Sequence, residues 1–329
     1  MYSDIPLWLS LFFVIGGLAA LAWSSDAFVD SSAKIARILG ISPFIIGMVI
    51  IGFGTSAPEL CVSALSGIAG HSNIAIGNAY GSCSFNILAI LGIAALIRPI
   101  VVKPSITFLA SPLLIAITLV SWQLLRDGSL SRVDSLLLAV GFLIIMPLYC
   151  WYDQRGGGSP QMETRSAQVS GNRILIALKV LFSLAVLVGS SHFLVWGSVD
   201  LARQMGVSEL LIGLTIVAVG TSLPELASAI ASARRGEHEF VMGNIVGSNL
   251  FNMLAVVGIA GSISPITDYS PYVLTRDVPT LIGATLSIMI FGINWRRPRA
   301  AGSVNRIEGA LWILSFVAYT ALMIIQEVK

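Results

Sequence analysis

The segment Gly54-Thr-Ser-Ala-Pro-Glu59-Leu, followed by Gly77-Asn-Ala-Tyr-Gly-Ser82-Cys-Ser-Phe-Asn86, recurs as Gly220-Thr-Ser-Leu-Pro-Glu225-Leu and Gly243-Asn-Ile-Val-Gly-Ser248-Asn-Leu-Phe-Asn252. Adding 166 to each number carries the first copy onto the second without a gap. Each copy sets a carboxylate in the middle of a long apolar stretch. An ionisable group at membrane depth is costly, so it marks an ion or substrate pathway by default. Two of them with the same polar escort point to cation transport.

Composition supports the membrane setting. The chain is 56% hydrophobic and 11% charged, where soluble domains carry about 25% charged residues. A helix needs roughly 20 apolar residues to cross a bilayer. Ten stretches qualify: about 5–28, 42–68, 73–97, 105–125, 135–152, 173–196, 208–233, 239–265, 279–295 and 308–326. Strand-length alternation is absent, so these are helices. No Lys or Arg precedes the first stretch, so it does not read as a cleaved signal. With the amino terminus outside, thirteen basic residues fall in cytoplasmic loops and five on the other face. That bias orients the chain with both termini outside. Arg296, Arg297 and Arg299 then read as a cytoplasmic anchor, not a nucleic-acid patch.

The repeat sets the organisation. Between 42–60 and 208–226, ten of nineteen positions are identical, and Leu88/Leu254, Ala89/Ala255 and Gly92/Gly258 follow in the same register. The predicted units are 1–152 (spans 1–5), a polar Gly-rich cytoplasmic linker 153–172, and 173–329 (spans 6–10). Five spans per unit invert the second relative to the first, an arrangement that places substrate at the bilayer midplane. The expected fold is an all-α membrane protein of ten transmembrane helices, with helices 2, 3, 7 and 8 interrupted. Pro58 and Pro224 lack the N–H that the Gly54 and Gly220 carbonyls would accept. The G-N-x-x-G-S segments read as glycine-rich breaks in helices 3 and 8.

Residues four apart share a helix face. Thr55/Glu59, Ser82/Asn86, Thr221/Glu225 and Ser248/Asn252 have that spacing, and Ser56 and Ser222 add hydroxyls beside them. If these segments converge, they offer carboxylate, amide, hydroxyl and carbonyl oxygens without histidine or thiolate. Such shells suit Ca²⁺ and, in smaller subsets, Na⁺. Two carboxylates balance one divalent cation. Singly, the Ser and Thr residues read as helix-packing groups; sharing faces with the carboxylates raises them above that. Cys61, Cys83 and Cys150 lack metal or disulfide spacing. Gly52-x-Gly54 sits inside a span, not after a short strand, so it is no dinucleotide fingerprint. Asp26 and its repeat counterpart His192 read as interfacial or capping groups, and His71 and His238 as loop residues. An intramembrane hydrolase would need an acid dyad or an activated nucleophile, and a channel would need an open pore. Neither requires duplicated amides and hydroxyls.

G-T-S-x-P-E with G-N-x-x-G-S-x-x-x-N in two inverted copies resembles the α-repeats of the sodium/calcium exchanger family, in its prokaryotic type with a short linker. The resemblance covers nearly the whole chain. It implies a secondary antiporter exchanging Ca²⁺ for Na⁺, with no cofactor and no enzyme activity, acting as a monomer in a prokaryotic plasma membrane. The ligands it implies are Glu59 and Glu225, the side chains of Ser56, Ser82, Asn86, Ser222, Ser248 and Asn252, and the carbonyls of Thr55 and Thr221. It also implies that spans 1 and 6 slide across the other eight. Some relatives carry an acid where this chain has Asn252, and so does the potassium-dependent branch. Amides at both 86 and 252 weaken the case for K⁺ and leave Na⁺ or H⁺ as the coupling ion.

Overall fold

The structure, a computed structural model, describes residues 6–68, 72–156, 172–205, 218–267 and 269–327. Helix α1 (Leu7–Leu39) ends at Gly40, whose φ of 65° and N–H to the Ala36 and Arg37 carbonyls form a left-handed cap. Ser42 then starts α2 (Pro43–Thr55), its hydroxyl accepting from the Ile45 N–H at 3.2 Å, and Pro43 supplies a preset first turn. After one non-helical residue, Ser56, the chain continues as α3 (Ala57–Ile68), bent by 43° from α2. Helices α4 (Ile74–Ile97), α5 (Ile106–Leu125) and α6 (Arg132–Gly156) complete the first half.

The second half repeats the order. Helix α7 (Arg173–Gln204) corresponds to α1, α8 (Ala218–Thr221) and α9 (Leu223–Arg235) to α2 and α3, and α10 (His238–Ile263) to α4. Helices α11 (Val273–Gly292) and α12 (Arg306–Glu327) close the chain. Among the described residues, eight helices are long and apolar enough to cross a membrane, and the bent α2–α3 pair makes nine. Ten were expected; the first half of the seventh stretch, 208–217, lies outside the described residues, as do His71 and most of the 153–172 linker.

Three further expectations need correction. Helices α4 and α10 are not interrupted at G-N-x-x-G-S. Both run through it and instead carry one wide turn with π-type hydrogen bonding, at Asn86–Leu91 and Phe251–Val256. In α10 these glycines permit close packing. A Cβ at Gly243 or Gly247 would overlap the α2 backbone at the Phe44 carbonyl or at Met48. Second, α1 and α7 extend well past the apolar stretches that mark them. The polar end of α1 packs against protein, burying Ser24, Ser25, Ser31 and Ser32, while Asp26 and Asp30 meet Arg235 at 3.6 and 3.4 Å. Third, the fold is not purely helical. Strand β1 (Ile100–Val102) and strand β2 (Ser129–Leu130) pair antiparallel with β4 (Gly302–Val304) and β3 (Ile266–Thr267), respectively.

Burial runs from centre to rim. The most apolar window of α10 is entirely buried, whereas α1, α6 and α12 present Phe12, Ile15, Leu143, Ile144, Leu314 and Val317 outward as a lipid-facing rim. The two halves interlock around this centre. Gly92 in α4 meets the Gly309 carbonyl in α12, and its counterpart Gly258 in α10 meets the α6 backbone at Ser135 and Ala139. Each half therefore closes its third helix against the last helix of the other half.

This packing makes a stability prediction. Gly247→Ala should destabilise the protein by about 1–3 kcal/mol, because the α2 backbone must move aside. Gly283→Ala, at an exposed position with nothing within 4 Å of the added Cβ, should not. Thermal unfolding of the two purified variants in detergent measures the difference; equal midpoints would contradict the close approach.

Candidate functional site

Ser56 and Ser222 interrupt their helices with φ, ψ of −84°, 8° and −94°, 12°. These values lie in the sparsely allowed bridge region, where turn and active-site residues occur. The prolines two positions later account for the break, since each removes a donor from the helix ladder. In the second half the Gly220 carbonyl receives the Ser191 hydroxyl of α7 at 3.0 Å. In the first half the matching Ser25 donates instead within its own helix, to the Ala22 carbonyl.

The breaks aim both serines across the repeat boundary. Ser56 Oγ donates to Glu225 Oε1 at 2.7 Å, and Ser222 Oγ donates to Glu59 Oε1 at 2.7 Å. Ser222 also reaches Ser82 Oγ at 3.3 Å, which brings α4 to the same point. Ser248 lies within reach of the Glu225 carboxylate and donates to the Gly52 carbonyl at 3.2 Å. The two glutamates are close enough to repel each other. Both are fully buried, as are Thr55, Ser56, Asn86, Ser222, Ser248 and Asn252. Ser82 is 5% exposed and Thr221 is half-buried. Thr55 turns its hydroxyl back to the Ile51 carbonyl at 2.8 Å.

Four oxygens of this cluster have no hydrogen-bond donor: Glu59 Oε2, Glu225 Oε2, Asn86 Oδ1 and Asn252 Oδ1. Buried polar atoms in native proteins are nearly always paired, so each exception calls for a reason. Four such acceptors, two of them carboxylate, form an oxygen set of the kind that suits a dehydrated cation. Among the described residues histidine takes no part: His192 is exposed, and His238 begins α10 at its far end. None of the three cysteines forms a disulfide, and only Cys83 is buried beside the cluster.

Several positions were missed in the sequence. Asn78 Nδ2 donates to the Glu59 carbonyl at 3.0 Å and to Ser63 Oγ at 2.9 Å. Asn244 Nδ2 does the same to the Glu225 carbonyl at 3.1 Å and Ser228 Oγ at 3.0 Å. These amides hold the glutamate-bearing helices against α4 and α10. Asn78 and Asn244 are the asparagines of G-N-x-x-G-S, so that motif carried the signal. Ser63 and Ser228 differ by 165 positions and break the repeat register, which hides them from a search for matched identities. Asn249 is a further addition: it accepts from Asn86 Nδ2 at 3.0 Å.

The sodium/calcium exchanger protein family matches the chain over residues 9–151 and 175–325. CaxA of Alkalimonas amylolytica is 38% identical over 315 residues, 94% of this chain and 97% of that protein. The inner membrane protein YrbG of Escherichia coli strain K12 is 34% identical over 315 residues, covering 94% of this chain and 95% of its own length. Among solved structures, that of the sodium-calcium exchanger NCX_Mj superposes with a TM-score of 0.82 at 26% identity, covering 96% of this chain and 99% of the other. Two matched segments that together span nearly all of a multi-pass helical membrane protein settle its kinship: the chain belongs to the sodium/calcium exchanger family.

Proposed function

We propose that this protein is a secondary antiporter that moves Ca²⁺ against Na⁺ by alternating access at the cluster around Glu59 and Glu225. The observation that carries the reading is the set of four buried, donorless oxygens drawn from both halves. Glu59, Glu225, Asn86 and Asn252 would supply those oxygens. The hydroxyls of Ser56, Ser82, Ser222 and Ser248 and the carbonyls of Thr55 and Thr221 would complete the shells for Ca²⁺ and for the Na⁺ ions that replace it. Ca²⁺ takes six to eight oxygens at roughly 2.3–2.6 Å, so one ion draws on several helices at once. Exchange named in the sodium-calcium exchanger NCX_Mj supports the choice of ions.

The layout we infer has ten spans in two inverted units, 1–152 and 173–329, joined by a cytoplasmic linker at 153–172. The strand pairs support the parity. Pairing of β1 with β4 sets the C-terminal ends of α4 and α11 on one face, and pairing of β2 with β3 sets those of α5 and α10 on the other. Following the chain from these anchors, the segment between α7 and α10 must cross once, which completes ten. Both termini then share a face, opposite the linker. The basic bias makes the linker face cytoplasmic, and the name of YrbG fits an inner-membrane location. Helices α1 and α7 lie antiparallel, with Gly17 against Leu194 and Gly197 against Ser10 and Phe13. A pair packed so closely is suited to slide as one body across the rest.

Glu59→Gln or Glu225→Gln should each lower Ca²⁺ uptake more than 100-fold while the protein still inserts and folds. Breaking a buried charge arrangement costs about 3–5 kcal/mol. Purified variants in vesicles test this, and near-normal exchange by either would remove the glutamates from the site. Cysteine labels in the linker should react from the cytoplasm and labels at both termini from outside; linker and termini on one side would refute the layout.

Charge separates Na⁺ from H⁺ as coupling ion. Two ionised glutamates with one Ca²⁺ are neutral, and with two protons they are also neutral, so that exchange ignores voltage. More than two Na⁺ leave positive charge on the site, worth about 2.3 kcal/mol per charge per 100 mV. Na⁺-driven Ca²⁺ uptake should therefore change when vesicle potential is clamped with valinomycin and stepped. Uptake that ignores voltage but follows a pH gradient would assign the cycle to H⁺.

A further inference from the structure

We propose that Asn249 is a positioning residue for the cation site: it decides which atom of the Asn86 amide faces the carboxylates. The inference rests on the reading that those oxygens hold the transported cation. Asn249 Nδ2 donates to the Cys83 carbonyl at 3.4 Å. A carbonyl can only accept, so this contact fixes the Asn249 amide with its oxygen on the opposite side. That oxygen accepts from Asn86 Nδ2 at 3.0 Å, which commits the nitrogen of Asn86 and leaves Asn86 Oδ1 buried without a donor. One backbone carbonyl thus sets two amide orientations in series, and the second presents an acceptor where a cation needs one. Without Asn249, the Asn86 amide is free to turn and offer its NH₂ group, which repels a cation. Both side-chain atoms of Asn249 are committed elsewhere, so it acts through Asn86 and not as a ligand.

The device is one-sided. Residue 249 corresponds in the repeat to Cys83, and the two meet across the boundary, where Cys83 Sγ approaches the Asn249 carbonyl at 3.8 Å. By the same correspondence Asn252 lies beside Cys83, as Asn86 lies beside Asn249. A thiol is a weak partner, and neither amide atom of Asn252 makes a hydrogen bond. Asn86 is therefore a preset ligand, whereas Asn252 must be ordered by the ion.

The test is Na⁺-driven uptake of radioactive Ca²⁺ by the full-length protein in vesicles, measured against Ca²⁺ concentration. Asn249→Ala should raise the half-saturating concentration about tenfold with the maximal rate held within about twofold, the size expected for losing one committed hydrogen bond at a charged site. In an Asn86→Ala background the same change should add less than about twofold, because contacting residues that act through one another are not additive. Cys83→Asn supplies the missing clamp on Asn252 and should lower half-saturation; it decides the question if Asn249→Ala fails to fold. Additive losses in the double variant, a fall confined to maximal rate, or an unchanged or raised half-saturation in Cys83→Asn would overturn the assignment. Wild-type protein with no cation-driven uptake would instead overturn the antiport reading, and this inference with it.

Discussion

Two fully buried carboxylates govern the rest of the structure. Buried charge is held only with partners, and here each glutamate finds its partner in the opposite half. Ser56 serves Glu225 and Ser222 serves Glu59, both at 2.7 Å. One oxygen of each carboxylate is thereby fixed and the other left open. Neither half supplies the hydroxyl partner of its own glutamate, so the two halves must pack together before either carboxylate is stabilised. The glycines of α10 follow from the same requirement. Gly243 and Gly247 let α2 approach backbone to backbone, and Ser248, one position on, donates to the Gly52 carbonyl at 3.2 Å. Without that approach Ser248 could not reach the α2 backbone.

The buried polar cluster was more legible in the sequence than the scaffold, and for a physical reason. Its side chains recur in both halves, so Glu59 and Glu225, or Ser82 and Ser248, keep one offset. The scaffold obeys no such bookkeeping. The hydroxyl partners Ser63 and Ser228 fill the same role from positions one residue out of register. The end of α1 reads as polar loop in a hydropathy plot, yet it is helix because protein and Arg235 cover it. Glycine inside an apolar run signals either a break or a close crossing, and composition alone does not distinguish them. In α10 the crossing prevailed because a facing backbone fills the space a Cβ would need at Gly243 and Gly247. The wide turns at Asn86–Leu91 and Phe251–Val256 left no compositional trace. They begin at or beside Asn86 and Asn252, but similar turns at Gly47–Gly52, Ile106–Ala110 and Val273–Asp277 show that the feature does not by itself mark the cluster.

Departures from two-fold symmetry are as informative as the symmetry. Gly220 has its freed carbonyl covered by Ser191, whereas Ser25 stays within its own helix. Asn86 is held by Asn249, whereas Asn252 has a thiol beside it. An inverted repeat that were perfectly symmetric would present identical surroundings to an ion approaching from either side of the membrane. Each departure loads one half differently from the other, at the break in one case and at an amide in the other.

Ser56 and Ser222 join the geometry of the break to the chemistry of the site. Each is the residue at which its helix leaves regular geometry, and each also donates to the carboxylate of the other half. A change in the bend of α2 against α3 therefore moves the Ser56 hydroxyl and, through it, Glu225. The same holds for α8 against α9 and Glu59. Helix bend and the position of the hydroxyl facing the carboxylate are consequently a single variable at these two residues. On the antiport reading proposed above, a cation that draws the open carboxylate oxygens together would act on both bends at once. An ion that contacts only a few atoms would thereby gain leverage over whole helices.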